Sequence, residues 1–202
     1  MRELLVATKN PGKFREICEA LEGVDFKLVS LEGMVLDDGD FVEDGETFEE
    51  NAKKKAKYYS EKLKGRFEFV LGEDSGIIID ALKGELGVKT RRWGAGEKAS
   101  DSEWIEYFLK RMEEFTENER GAEFVCCAYI ITGGEEKVFR GETKGIITHE
   151  LEAPIVGGIP LSSCFKPVGF DLVYAALSVE QKNKISHRGK ALAPLKEFLE
   201  GV

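Results

Sequence analysis

The chain has 202 residues, of which 42% are hydrophobic, and its net charge is −9. This length suits one core, and we predict a single domain over residues 1–202. The negative charge disfavours nucleic acid and anionic membranes as partners. No apolar run approaches the ~20 residues that span a bilayer, so we expect no membrane association.

The N-terminus and the cysteines indicate the compartment. The first apolar stretch, ELLVA, is too short for a signal peptide, so we expect a cytoplasmic protein. The four cysteines show no zinc-ligand spacing, and Cys126 and Cys127 lie inside an apolar run. We therefore predict reduced thiols in the core.

The first predicted element is a strand at residues 3–7, followed by a tight turn and a helix. Asn10 suits the N-cap position, and Pro11 suits the first helical position. Free N–H groups at a helix N-terminus bind anions, and Lys9 and Lys13 add positive charge. The turn is a candidate phosphate site, although many proteins without such a site also begin with a strand, a turn and a helix.

The segment EDGETFEENAKKKA, residues 43–56, predicts the start of a second helix. Thr47 and Glu50 have the spacing of a capping box, so the helix should begin near Phe48. Its predicted apolar face consists of Phe48, Ala52, Ala56, Tyr59 and Leu63.

Lys55 falls within this apolar face, whereas Lys53 and Lys54 point towards water. An inward lysine needs an anion to compensate its burial. Asn51 lies at the edge of the same face, and Glu43 belongs to an acidic cluster just before the helix. The segment predicts a charged site, with a solvated acidic loop and a lysine-rich surface helix as the alternative.

Residues 67–71 read as a strand that leads into a glycine-flanked turn at residues 72–76. Glu73 and Asp74 lie in this turn. A carboxylate in a cleft requires a cation or hydrogen bonds, so this pair is a second candidate for chemistry. A solvent-exposed turn without a function is the alternative.

The remaining elements follow from periodicity and turn residues. The predicted strands are residues 26–30, 124–131, 137–141, 145–148 and 165–168, and a helix is predicted at 101–115. Ser100 and Glu103 form a second capping box. Ser186 is a candidate cap for the last helix and would place His187 and Arg188 at its N-terminus.

Four segments in this order resemble the inosine/xanthosine triphosphate pyrophosphatase family, the house-cleaning enzymes for deaminated purine nucleotides. They are ATKNPGKFREI, EDGETFEENAKKKA, EDSGIIIDALKGELGV and EQKNKISHRGKAL. The resemblance implies an elongated α/β fold with two lobes around a central mixed sheet, the nucleotide site in the cleft between them, and a homodimer. It also implies hydrolysis of inosine, deoxyinosine or xanthosine triphosphate to a nucleoside monophosphate and pyrophosphate.

The resemblance assigns roles to individual residues. Asp74 would be the general base and, with Glu43, would bind Mg²⁺. The implied substrate contacts are Thr8, Asn10, Lys13, Asn51, Lys55 and Ser75 on the phosphate side, and Ile159, Ser162, Lys182, His187 and Arg188 on the base side. This fits the chemistry, because oxygen ligands suit Mg²⁺ and lysines stabilise a pyrophosphate leaving group.

The base side departs from the family pattern. The family's GGFGYDPIF is GGIPLSSCF here, which puts Ile159 in place of an aromatic residue and Ser162 in place of an aspartate. Ala176 replaces a glutamate. Two alternatives therefore remain: a nucleotide-binding or regulatory homologue with weak turnover, and a pyrophosphatase for another modified nucleotide.

Overall fold

The computed structural model describes residues 1–96 and 98–202. The strands are β1 (Arg2–Val6), β2 (Phe26–Ser30), β3 (Phe69–Ile79), β4 (Gly121–Ile131), β5 (Glu136–Ile147) and β6 (Phe165–Pro167). The helices are α1 (Pro11–Ala20), α2 (Phe48–Lys62), α3 (Asp101–Met112), α4 (Val179–Ile185) and α5 (His187–Glu200). Short 3₁₀ turns include Gly87–Arg92, Pro160–Ser163 and Tyr174–Ala176.

The strands form one six-stranded sheet in the order β2-β1-β3-β4-β5-β6. The pairings of β1 with β2 and β3 are parallel and the other three are antiparallel, which confirms the predicted α/β fold around a mixed sheet. Val6 pairs with Leu71. The turn after β1 therefore lies beside the two acidic residues that follow Leu71 in β3.

Helices cover both faces of the sheet. One core cluster packs α1 and α5 against the sheet, and includes Leu4, Ile17, Leu71 and Leu192. A second packs α2 against the opposite face, and includes Leu5, Ala52, Ala56 and Val70. A third packs α3 against the far ends of β3 and β4, and includes Ile77, Trp104, Phe108 and Phe124. This third cluster forms the second lobe of the fold.

The turn predicted at residues 72–76 is wrong, because β3 runs unbroken through this segment. Gly72 and Gly76 instead allow other parts of the chain to pack closely against β3. A Cβ atom on Gly72 would lie 2.1 Å from the carbonyl oxygen of Ala52 in α2. A Cβ on Gly76 would lie 2.4 Å from the carbonyl oxygen of Gly87. The carboxylates between these glycines are therefore fixed on a central strand.

Other differences concern element boundaries. The strands predicted at residues 137–141 and 145–148 are one strand, β5, in which Gly141 lets α5 approach: its Cβ would lie 2.1 Å from the carbonyl oxygen of His187. Helix α3 ends at Met112 rather than at residue 115. The Thr47 side chain caps α2, but Glu50 accepts a hydrogen bond from the N–H of Glu46, so the predicted reciprocal box is incomplete.

The predicted apolar face of α2 is confirmed. Lys55 is buried on it, whereas Lys53 and Lys54 are exposed. All four cysteines are free thiols, and Cys126, Cys127 and Cys164 are buried, as expected for reduced core residues. Within the described ranges, none of the helices combines the length and the apolar character needed to cross a bilayer.

Candidate active site

A cavity of about 510 Å³ opens where the turn before α1, the start of α2, the centre of β3 and the loop before β6 meet. Two groups of residues form its walls or contact the residues that do. We call Lys13, Glu43, Asn51, Lys55, Glu73 and Asp74 the charged cluster, since ion pairs and hydrogen bonds connect its members. We call Trp104, Phe124, Ile159, Leu161, Tyr174 and the ring of His187 the apolar cluster.

Alternation along β3 sends its two carboxylates to opposite faces of the sheet. Glu73 points to α1 and α5, where Lys13 Nζ lies 2.9 Å from its Oε2 and Arg188 Nη2 lies 3.0 Å from its Oε1. Burial alone would raise the pKa of Glu73, but these two cations hold it well below its usual value. Glu73 is 1% exposed and does not line the cavity. Its carboxylate therefore holds the two cations in place inside the protein.

Asp74 points to α2 and into the cavity. Asn51 Nδ2 donates to its Oδ2 at 3.1 Å, and Lys13 Nζ lies 3.9 Å from its Oδ1. Burial raises the pKa of this carboxyl, an effect that Lys13 and Lys55 oppose and Glu73 reinforces. A buried carboxylate that is oriented by an amide and has a raised pKa is suited to accept a proton.

Lys55 and Glu43 complete the charged cluster from α2 and the loop before it. Lys55 Nζ forms an ion pair with Glu43 and donates to the carbonyl oxygen of Glu73 at 3.0 Å. Burial by itself would raise the pKa of Glu43, but the positive charge of Lys55 lowers this pKa below its usual value. Asn51 Oδ1 accepts from the N–H of Gly45 at 2.8 Å, which ties this acidic loop to the helix.

The turn before α1 is held by its own side chains. Thr8 Oγ1 accepts from the N–H of Asn10 at 3.1 Å, and Asn10 Oδ1 caps α1 at the N–H of Lys13 at 3.0 Å. Asn10 Nδ2 donates to the carbonyl oxygen of Gly158 at 2.8 Å. The structure thus engages both ends of the Asn10 amide within the protein, and its predicted contact with phosphate stays a prediction.

The C-terminal residues predicted to read a purine are differently placed. The guanidinium of Arg188 is 3% exposed and donates to Glu16, Glu73 and, at 2.9 Å, to Ser75 Oγ. Lys182 forms an ion pair with Glu16 and does not line the cavity. Both cations are therefore held by carboxylates, and their roles towards a base stay predictions.

His187 belongs to an aromatic stack. Its ring lies 4.6 Å from that of Phe124 at 13°, and the ring of Tyr174 stacks on Phe124 at 5.9 Å. Burial and the neighbouring Arg188 hold the pKa of His187 well below its usual value, so the imidazole is neutral. His187 Nδ1 and the Tyr174 hydroxyl have no hydrogen-bond partner among the described residues.

The loop before β6 brings Ile159 and Ser162 to the cavity. Ser162 is buried, and its hydroxyl donates to the carbonyl oxygen of Ile159 at 2.7 Å. Eleven of the thirteen residues in the predicted site line this one cavity, and the other two, Asn51 and Lys182, lie behind it.

The residues around the site that sequence reasoning missed include three charged side chains. Glu16 is buried between Arg188 and Lys182. Its position on a mostly polar helix did not indicate that it would be buried. Arg92 lines the cavity and donates to the carbonyl oxygen of Glu43 at 2.8 Å. Asp101 accepts from the N–H of Gly158 at 2.6 Å. The arginine pair next to Trp93 was the one available signal for Arg92.

Comparisons with known proteins identify relatives of the whole chain. The dITP/XTP pyrophosphatase of Geobacter sulfurreducens is 41% identical over 98% of this chain and 97% of its own length, and that of Symbiobacterium thermophilum is 40% identical over 100% and 96%. A solved HAM1 protein from Coxiella burnetii has a TM-score of 0.80 at 30% identity and covers all of both chains.

A solved Ham1 protein from Staphylococcus aureus has a TM-score of 0.77 at 34% identity and covers 99% of both chains. The model of the Ham1 family matches residues 4–198. The resemblance predicted from four short segments thus extends over nearly the whole sequence, and the chain belongs to the Ham1 family.

Proposed function

We propose that this protein hydrolyses nucleoside triphosphates of deaminated purines to a nucleoside monophosphate and pyrophosphate. The names of its relatives, dITP/XTP pyrophosphatases, support this activity. The observation that carries the proposal is Asp74, a carboxylate that faces the cavity, is held by Asn51 and lies near Lys13, in a cavity that an aromatic stack also lines. One cavity thus offers a proton acceptor, cations for phosphates and a surface for a base.

We also propose that Glu43 and Asp74 hold a magnesium ion. Both are oxygen donors that line the cavity, and no group of three or more acidic, histidine or cysteine side chains among the described residues is placed to hold a metal ion. Such a pair fits Mg²⁺, which proteins often bind through one or two carboxylates together with water and substrate phosphates. When bound, the ion would offset negative charge that develops on the phosphates.

The residues of the chain itself have separable roles in this proposal. Asp74 accepts the proton of the attacking water, and Asn51 keeps its carboxylate oriented through Oδ2. Lys13 and Lys55, at the ends of their ion pairs with Glu73 and Glu43, stabilise the negative charge of the leaving pyrophosphate. A phosphate chain that enters the cavity competes with these carboxylates for the two ammonium groups.

The apolar cluster receives the base in this proposal. The neutral ring of His187 and the rings of Phe124 and Tyr174 give an aromatic surface, and base–aromatic stacking is typically worth ~1–3 kcal/mol per base. Among the described residues, Nδ1 of His187 has no hydrogen-bond partner, and its ring lines the cavity.

The test is pyrophosphate release from inosine, xanthosine, adenosine and guanosine triphosphates at equal concentration, with and without magnesium. We expect release in the presence of magnesium, with inosine or xanthosine triphosphate as the preferred substrate. Binding of all four nucleotides without release would favour the regulatory alternative. Release from a different modified nucleotide alone would favour the second alternative and contradict the proposed substrate.

Two further proposals concern the assembly and the compartment. We propose a homodimer, which is supported by large apolar side chains left in solvent: Val168 is 73% exposed, Leu172 50% and Val179 49%. Light scattering after size-exclusion chromatography tests it. We propose a cytoplasmic location, which the free thiols support because that compartment keeps cysteines reduced. Cell fractionation tests it.

A further inference from the structure

The backbone of Gly158 is held from both sides. Asn10 Nδ2 donates to its carbonyl oxygen at 2.8 Å, and its N–H donates to Asp101 Oδ2 at 2.6 Å. The position requires glycine, because φ is +81° and a Cβ atom would lie 2.4 Å from Asn10 Oδ1. These contacts join three separate parts of the chain at one residue.

These two bonds place the loop that carries Ile159 and Ser162 into the cavity. In the described part of the chain, the other hydrogen bonds of residues 156–163 stay within residues 152–164. Local bonds fix the shape of a loop but not its position. Among the hydrogen bonds of the described residues, those to Asn10 and Asp101 therefore fix the position of this loop against α1 and α3, and Leu161 adds apolar packing against α3.

Asn10 also caps α1, as described above, so its contacts serve the phosphate side of the cavity as well. Asp101 is the first residue of α3, and its contact with the loop leaves the charged cluster untouched. We propose that Asp101 is a positioning residue that holds the 157–163 loop against the base of the nucleotide. The inference rests on the proposed function, because the ligand is a nucleotide.

A purely structural role for Asp101 makes a different prediction. An acidic residue in the first turn of α3 stabilises that helix through its dipole, whatever the loop does. Glu103 stabilises the same helix end, since its carboxylate accepts from the N–H and hydroxyl of Ser100, both at 2.7 Å. Among the described residues, the hydrogen bonds of the Glu103 side chain go to Ser100 and not to the loop. Glu103→Ala is therefore a matched control for the helix contribution.

The experiment compares Asp101→Ala, Asp101→Asn, Asp101→Glu and Glu103→Ala with the wild type. Binding of inosine monophosphate reports on the base side, and binding of inorganic pyrophosphate reports on the phosphate side. We expect Asp101→Ala to weaken the monophosphate about tenfold, the order expected for one hydrogen bond to a charged acceptor, and to leave pyrophosphate within about twofold. Glu103→Ala should leave both affinities unchanged.

The other two variants separate the contact from the charge. Asp101→Asn keeps an oxygen that can accept from Gly158, so it should retain most of the affinity for the monophosphate. Asp101→Glu keeps the charge at the helix end but lengthens the side chain, so it should behave like the alanine variant. Equal losses in Asp101→Ala and Glu103→Ala, or equal losses for the two ligands, would overturn the proposal.

Hydrogen exchange of the Gly158 amide tests the contact without any ligand. We expect faster exchange in Asp101→Ala and Asp101→Glu, and wild-type exchange in Glu103→Ala. Unchanged exchange in the alanine variant would contradict the positioning role. If the wild type neither binds the monophosphate nor releases pyrophosphate from inosine triphosphate, the proposed function fails, while the exchange measurement still decides the role of Asp101 in placing the loop.

Discussion

The charged cluster and the apolar cluster of this cavity are built by different means. Most of the charged cluster lies on β3, α1 and α2, where its pairs with Glu73 are buried between elements that pack on the sheet, and only Glu43 comes from a loop. The apolar cluster depends in part on a loop held at the backbone of Gly158 by Asn10 and Asp101. The chemical end of the site is therefore positioned mainly by regular elements, whereas the end proposed to bind the base also depends on a few hydrogen bonds to a loop.

The largest expected effect is at Asp74. Asp74→Asn should reduce kcat by ~10²–10⁴-fold, because the amide cannot accept the proton of the attacking water. The fold should persist, since the new side chain can still accept from Asn51. Pyrophosphate release measures the rate, and circular dichroism with thermal unfolding checks the fold. A variant that keeps more than half of the wild-type rate would contradict the general-base role.

Glu73 should affect stability instead of chemistry. Glu73→Gln removes the buried carboxylate shared by Lys13 and Arg188, leaves Glu16 as the remaining close carboxylate of Arg188, and should lower the free energy of unfolding by about 3–5 kcal/mol at pH 7. Because the folded protein holds the pKa of Glu73 well below 4.5, this contribution is present above that pH and is lost as the pH falls through the folded-state pKa. Urea unfolding should show the difference shrinking below pH 4.5.

The control for this variant is an exposed ion pair. Glu180 pairs with Lys184 at 2.7 Å, and both side chains are more than 70% exposed. Glu180→Gln should leave the free energy of unfolding close to that of the wild type, because water and salt screen an exposed ion pair. A similar loss in both glutamine variants would show that burial in the sheet adds nothing to the Glu73 interaction.

Two lysines on α2 test the charged cluster at a smaller scale. Lys55→Ala should raise KM for a nucleoside triphosphate about tenfold or more, the ~1.4 kcal/mol of one lost phosphate contact. Lys54→Ala should leave KM unchanged, because Lys54 is exposed and pairs with Asp44 outside the cavity. Steady-state kinetics on both variants decide the matter, and equal effects would contradict the assignment of Lys55 to substrate.

The smallest expected effect concerns the loop. Ile159→Phe adds an aromatic ring to the apolar cluster and should raise kcat/KM for inosine triphosphate about tenfold, near the lower limit for base stacking. Ile159→Leu is the matched control and should change little. In the wild type we expect a modest preference for deaminated purines over adenosine and guanosine triphosphates. A wild-type preference above ~10³ would show that Phe124, Tyr174 and His187 already provide a complete base site.

Local sequence patterns correctly predicted features that belong to a single helix. The 3.6-residue period placed Lys55 on the buried face of α2, and cap residues located the starts of α1, α3 and α5. The same local reasoning failed at residues 72–76, where glycine usually marks a turn. There the glycines make room for α2 and for the 3₁₀ turn at Gly87–Arg92, which no local pattern reveals.

The sequence by itself determined the residue types of the site, the order of its segments and the family to which the chain belongs. The tertiary structure decided which of those residues face the cavity and which form ion pairs with other residues of the protein. Arg188 and Lys182 read as free cations in the sequence, yet Glu16 and Glu73 hold them, because α1 and β3 pack against the C-terminal helices. The sequence does not show which residue will pair with a given charged side chain. A buried charge nevertheless requires a close partner.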